Sequence, residues 1–451
     1  MGVFVNVKSF GSRHAAVSTS VLPAVLGADM NVPLADGTMA PFANFDHAAT
    51  APCLEAVADA VNTFLPWYTS THRGAGTLSA ICTAKYEESR ITVRQFIGCR
   101  PDDHLVFTRN TTDALNMLAR IVPEDTTTIV FAHEHHAGLL PWRDVRTLPI
   151  QSDVDGVLTA LDGALAEIGA KALVVVTGAT NVTGELLPLE ELVAITHRHG
   201  ARIAVDAAQL VAHRPIDMTA LDVDYLAFSG HKLYAPFGIG VLAGRSDWFV
   251  AAEPYLRGGG ATVNVGDDPR DVEWSLGVPR HEAGTPNVIG AVALAAACET
   301  VRTAWDSLIP YESVLLTRLR TGLAEIPEVN ELSLFGLTED RIGIVSFTVD
   351  GVDPGLLATA LSVEYGIGLR QGRFCAHPLT RHLLRKSGTP GSETAVRASL
   401  GLGVDVAKVD RLVDAIRTIS EIGLRMLYVT QDGTWWPTAV SVSSHDAGSV
   451  H

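Results

Sequence analysis

The chain has little cysteine and fewer positive charges than negative ones. Five cysteines stand among 451 residues, at positions 53, 82, 99, 298 and 375. The set is odd, scattered and without a C-x-x-C pair, which excludes a disulfide framework and the common zinc spacings. It suits a reducing cytoplasm, the location expected for the protein. Lys and Arg number 34 against 50 Asp and Glu, a net charge of -16. Such a surface repels nucleic-acid phosphates, so no nucleic-acid partner is expected. Long hydrophobic runs are missing as well. Residues 21–26 are apolar but broken by Pro23, and residues 291–298 are alanine-rich and read as a packed helix. No membrane association is expected. Residues 443–449 are small, polar and aperiodic, and read as a disordered tail.

What is present is an ordinary globular composition, 47% hydrophobic and 19% charged. The length allows a large domain and a smaller one. Strand-like and helix-like stretches alternate over residues 106–244, the pattern of a mostly parallel sheet with helices on its faces. Residues 189–199 show helical spacing, with Gly200 where a C-cap glycine belongs. Residues 342–347 read as a strand of a second α/β unit. The predicted organisation is an extension over residues 1–43 that packs on the smaller domain. A large domain follows over 44–300, a small C-terminal domain over 301–430, and a tail over 431–451.

The chemistry concentrates after apolar strands. The run from Tyr225 to Phe228 ends in Ser229, Gly230, His231 and Lys232. A lysine amine in a water-poor turn can lose its proton and condense with an aldehyde. Ser229 and His231 can donate hydrogen bonds to a phosphate. The set suggests a Schiff base of Lys232 with pyridoxal phosphate. Upstream, residues 201–205 read as a buried strand ending at Asp206, with Gln209 just beyond. A carboxylate there can pair with a protonated pyridine nitrogen and keep the ring an electron sink. Gln209 can reach the ring hydroxyl, and Asn181 lies past the end of another apolar strand, residues 173–177. Thr111 and Thr112 open a helical pattern, where free amides and the dipole favour a phosphate. A plain helix cap remains the alternative for Asp206 and for the two threonines.

These motifs resemble the class-V aminotransferase family of fold-type I pyridoxal-phosphate enzymes, closest to its cysteine desulfurase and selenocysteine lyase branch. The resemblance rests on Asn44 to Thr50, His72-Arg73-Gly74, Phe107 to Thr112, Glu134 to Ala137, Asn181, Asp206 to Gln209 and the Lys232 segment. It continues through Glu282 to Asn287, Gly372 to Ala376 and Val396 to Leu400, covering residues 40–420. It implies an α/β fold and pyridoxal 5'-phosphate held by Thr111, Thr112, His135, Asn181, Asp206, Gln209, Ser229, His231 and Lys232. His135 is implied to stack on the ring and handle protons, and Arg397, with Asn181, to bind the substrate carboxylate. Gly284 and Thr285 are implied to reach the partner's cofactor phosphate across a homodimer with shared sites. Cys375 is the implied nucleophile that takes the sulfur of a cysteine, or the selenium of a selenocysteine, when the C–S or C–Se bond is cleaved, with an acceptor protein to collect the sulfur. Arg373 beside it would lower the thiol pKa.

Around the substrate the chain departs from the branch. Arg373-Phe374 replaces a histidine pair before the cysteine, Gly76 stands where a histidine is usual, and Gly403-Val404-Asp405 replaces a tyrosine-asparagine-threonine run. The alternatives are therefore a carbon–sulfur β-lyase of cysteine conjugates, or an aminotransferase or epimerase that does not need Cys375. A dimer without turnover is a third. The cluster His133-Glu134-His135-His136 is not H-E-x-x-H, and no metal is expected.

Overall fold

The computed structural model describes residues 22–389 and 392–441. Its centre is a seven-stranded sheet. The strands are β1 (His104–Thr108), β2 (Thr127–Phe131), β3 (Val145–Leu148), β4 (Ala172–Thr177), β5 (Arg202–Asp206), β6 (Tyr225–Ser229) and β7 (Gly240–Gly244). Their spatial order is β1-β7-β6-β5-β4-β2-β3. Strands β3, β2, β4, β5 and β6 pair in parallel, while β7 runs antiparallel to β6 and β1. Strands β4 and β6 are buried along their whole length, which explains why they read as unbroken apolar runs rather than alternating ones.

Side chains alternate between two faces of this sheet. Val174, Val176, Ile203 and Val205 enter one core together with the helices α1 (Glu55–Phe64) and α2 (Thr77–Phe96). Leu173, Val175 and Ala204 enter the other, against Leu115 and Leu118 of α3 (Thr111–Ile121). Each fully buried Leu or Val contributes roughly 1.5–3 kcal/mol relative to exposure.

One helix joins the two units. Helix α4 (Val288–Ala324, 37 residues) is long and apolar enough by composition to cross a membrane. It serves instead as a core helix. Its residues Val288 to Val301 pack under the sheet, and Leu315 to Leu323 pack in the second core. It therefore runs straight through the expected boundary at residue 300. The second unit holds β8 (Val329–Glu331), β9 (Ile344–Val349), β10 (Arg370–Gly372) and β11 (Ala395–Ser399), all antiparallel in the order β8-β9-β11-β10.

Residues 22–43 touch both units. Ala43–Asn44 runs parallel to Ile367–Gly368 of the small unit, and the Leu26 amide bonds the Cys53 carbonyl at 2.8 Å. The C-terminus differs from the expected tail beginning at 431. Met426–Gln431 and Thr434–Ser441 form an antiparallel hairpin. Asp432 and Gly433 turn it with φ of 50° and 75°, the geometry an Asp-Gly pair favours. Tyr428 Oη donates to Glu364 at 2.6 Å and Trp435 Nε1 to Asp353 at 2.8 Å, docking the hairpin on the helix Pro354–Tyr365. Residues 1–21 and the expected disordered stretch at 443–449 lie outside the described residues.

Candidate active site

Because β4, β5 and β6 are parallel, their carboxyl ends deliver Thr177, Asp206 and Ser229 to one edge of the sheet. That edge opens into a cavity of about 750 Å³. Lys232, Asp206, Gln209, Ser229 and His231 line it, and so do Thr111, Thr112, His135, Asn181, Cys375 and Arg397. Eleven of the predicted positions thus meet in one place although they span residues 111–397. Gly284 and Thr285 do not join them. They line a second cavity of about 780 Å³ with His72, Arg73, Gly259 and Gly260.

At one end of the first cavity a helix start and a strand end are fastened together. The Thr111 amide donates to Ser229 Oγ at 2.7 Å, and the two hydroxyls lie 2.6 Å apart. Asn110 caps α3 by accepting from the Asp113 amide at 3.0 Å. Gly240 of β7 lies against this cap so closely that a Cβ there would come within 2.5 Å of the Asn110 Cα. Burial holds the His231 imidazole low, at about 4, with the Lys232 charge adding to the effect. These hydroxyls and amides form a neutral, donor-rich seat at a helix N-terminus.

Lys232 ends the 3₁₀ turn Gly230–Lys232 that follows β6. Burial lowers its pKa to about 8, against the opposing charge of Asp206. Asp206 is buried, and burial pushes its carboxyl up while Lys232 and the Ala208 amide, 2.9 Å from Oδ1, pull it back. His135 caps the short helix His136–Leu139: its Nδ1 accepts from the Ala137 amide at 3.0 Å. Burial, then the charge of Lys232, lowers the His135 pKa to about 3. The ring is therefore neutral, with its proton on Nε2. Gln209 Nε2 donates to the Ala48 carbonyl at 2.9 Å, so its amide is partly committed to the backbone.

The four residues of the His133 cluster point different ways. His133 is buried and stacks on Phe131, with ring centroids 5.1 Å apart. Glu134 is fully buried, accepts from the Thr177 amide at 3.0 Å and leaves Oε2 unpartnered; burial, reinforced by Asp206, raises its pKa strongly. His136 lies 4.5 Å from His377, ring to ring.

The opposite end of the cavity belongs to Arg397 and the loop that carries Cys375. Arg397, on β11, is 3% exposed. Its Nη1 donates to the Asn181 carbonyl at 2.8 Å and its Nη2 lies 3.4 Å from Asp46 Oδ1. Asn181 Nδ2 donates to the Phe374 carbonyl at 2.7 Å, and the Phe374 ring lies 5.1 Å from the Arg397 guanidinium carbon. The His136 amide donates to the Cys375 carbonyl at 2.8 Å. These bonds hold Phe374 and Cys375 at φ of 50° and 53°. Each such non-glycine residue costs on the order of 1 kcal/mol. Of the five cysteines Cys375 alone is exposed. Burial pushes the thiols of Cys53, Cys99 and Cys298 up, that of Cys99 to about 12.

One expectation needs correction. Arg373 does not serve the thiol: its guanidinium pairs with Glu393, an acid that no sequence motif connects with it. The Gly258-Gly259-Gly260 turn packs on the Gly284 loop, where the Gly284 amide donates to the Gly259 carbonyl at 2.6 Å. Asp46 and Arg370 were not singled out by sequence, yet both line the cavity.

Comparison with known proteins agrees with this geometry. The family model for aminotransferase class-V matches residues 43–412. A cysteine desulfurase of Dickeya dadantii (strain 3937) is 36% identical over 403 residues, covering 85% of this chain and 93% of its own. A probable cysteine desulfurase of Mycolicibacterium paratuberculosis is 35% identical over 399 residues, covering 84% of this chain; the match spans 55% of that longer relative. The apo structure of a cysteine desulfurase from Thermococcus onnurineus NA1 superposes with a TM-score of 0.75 at 32% identity, over 84% of this chain and 95% of that one. The cysteine desulfurase CsdA (S-sulfonic acid) of Escherichia coli gives 0.70 at 32% identity, over 83% and 94%.

Proposed function

Because this chain belongs to the class-V aminotransferase family, in its cysteine desulfurase branch, we propose that it is a pyridoxal-phosphate enzyme that moves sulfur from a cysteine onto Cys375. The observation that carries the reading is the exposed thiol of Cys375 on the same cavity as Lys232 and Arg397. The fold is that of fold-type I pyridoxal-phosphate enzymes, and the donor set fits the cofactor. Thr111, Thr112, Ser229 and His231 offer amides, hydroxyls and an imidazole to a phosphate, Asp206 offers a buried carboxylate to the pyridine nitrogen, and Lys232 offers an amine. Bound there, pyridoxal phosphate supplies an electron sink for bonds at the substrate's α-carbon.

The chain's own residues supply the rest. The depressed pKa of Lys232 lets its amine accept or give a proton near neutral pH. Neutral His135 presents an Nε2 proton to the cavity. Arg397 and Asn181 orient the substrate through its carboxylate, the task to which a guanidinium fork is suited. The Cys375 thiolate then attacks the substrate sulfur. The new S–S bond forms as the substrate C–S bond breaks, the electron pair stays with the substrate carbon, and a proton completes alanine. The persulfide is left on an exposed loop, where an acceptor protein can collect it. Gly284 and Thr285, remote from Lys232 in their own chain, fit a homodimer in which each supplies the partner's site.

A carbon–sulfur β-lyase on the same scaffold is the second reading, favoured by the engagement of Arg373 with Glu393 rather than with the thiol. A panel of amino acids with product analysis separates the two. L-Cysteine should give alanine and a protein persulfide, and the Cys375→Ser variant should give neither. Pyruvate and ammonia at full rate from that variant would replace the desulfurase reading with the lyase.

A further inference from the structure

At the substrate end of the cavity two guanidiniums face one carboxylate. Asp46 Oδ1 lies 3.4 Å from Arg397 Nη2, and its Oδ2 lies 3.5 Å from Arg370 Nη1. Neither contact is short, and Arg397 keeps its buried Nε without a partner. The other charges of the cavity are already matched. Asp206 and Lys232 oppose each other deeper in, and Arg373 is held by Glu393. The count at this end is two cations and one anion, an excess of one positive charge.

We propose that this excess is matched to a single carboxylate, and that Asp46 makes the site select amino acids whose side chain is uncharged. The inference rests on the amino-acid substrate proposed above and deepens it. In the absence of substrate Asp46 is the carboxylate that pairs with Arg397 among the described residues, and an unpaired buried guanidinium would be costly. An incoming α-carboxylate takes the free edge of Arg397 and brings the group to two cations and two anions, with Arg370 still holding Asp46. A second acid on the substrate would be an unmatched anion next to Asp46. In a partly desolvated cavity such like charges repel far more strongly than in water. Arg370 is half exposed, so it can follow Asp46 without disturbing the core.

The test is the affinity of the cofactor-loaded protein for L-alanine and L-aspartate, measured by calorimetry. L-Alanine should bind at least about tenfold more tightly, about 1.4 kcal/mol. In Asp46→Asn that preference should fall about tenfold, and in Arg370→Gln, which removes a cation at an exposed position, it should widen. A preference that stays within twofold of the native value in both variants overturns the proposal. Alanine release from L-cysteine by the native protein is followed in parallel. If the preference shifts but no alanine is released, the charge rule stands and the desulfurase reading fails. If alanine is released and the preference does not move, the charge rule alone fails.

Discussion

The single residue on which the site turns is Lys232, because burial moves its titration into the working range. The neutral amine is the nucleophile, and its fraction rises as pH passes the pKa. Labelling of Lys232 by a carbonyl reagent in the cofactor-free protein should therefore accelerate through about pH 8. A free lysine would show that rise near ~10.4. A midpoint close to the free value would mean that the turn is wetter than the geometry implies. The Asp206→Asn variant should still bind cofactor but lose on the order of 10²-fold in turnover, if the charge pair is worth several kcal/mol. Near-normal turnover would reduce Asp206 to the local cap of the Ala208 amide. Lys232, Asp206 and Ser229 were legible in the sequence because each closes or directly follows an apolar run that could only be a buried strand. Asp46 was not legible as a functional group, since its partner Arg397 lies 351 positions away. The pairing of Arg373 with Glu393 was hidden as well: the two lie 20 positions apart, in separate connections on either side of the helix His377–Lys386.

At the level of elements, the site depends on how tightly β7, β6 and α3 are pressed together. Gly240 is required by contact rather than by its backbone angles, because a Cβ would meet the Asn110 backbone at 2.5 to 2.8 Å. Gly240→Ala should destabilise the fold by about 1–3 kcal/mol, as an overpacked interior does. It should also weaken cofactor binding by displacing the start of α3. Thermal unfolding and a cofactor titration read the two effects, and a variant with native melting and affinity would show that the cap is soft. The alternation of strands and helices over residues 106–244 was readable, since both faces of the sheet are covered and its inner strands β4 and β6 are buried end to end. The terminal hairpin was missed although its signal was present. Asp432-Gly433 between aromatic-rich strands is a hairpin turn, but a short segment after the last helix has no length or periodicity to oppose its reading as a tail.

For the whole molecule the arrangement of two cavities matters most. Gly284, Thr285, His72 and Arg73 are gathered in a place separate from Lys232, so the chain holds the two halves of the expected shared site apart. In a homodimer with shared sites, Lys232→Ala and Thr285→Lys should each be inactive alone. Mixed after dissociation and reassociation, they should recover part of the activity, because one site of the mixed dimer is intact. No recovery, with mixed dimers shown to form, would assign each site to one chain. A junction near residue 300 was not legible, because one continuous helix serves both cores. The central claim, that sulfur passes to Cys375, is tested most directly by peptide mass analysis after a single turnover with L-cysteine. The account predicts that the peptide containing Cys375 gains one sulfur atom and that the peptides of the other four cysteines do not. Alanine or pyruvate released with the Cys375 peptide unchanged would contradict it.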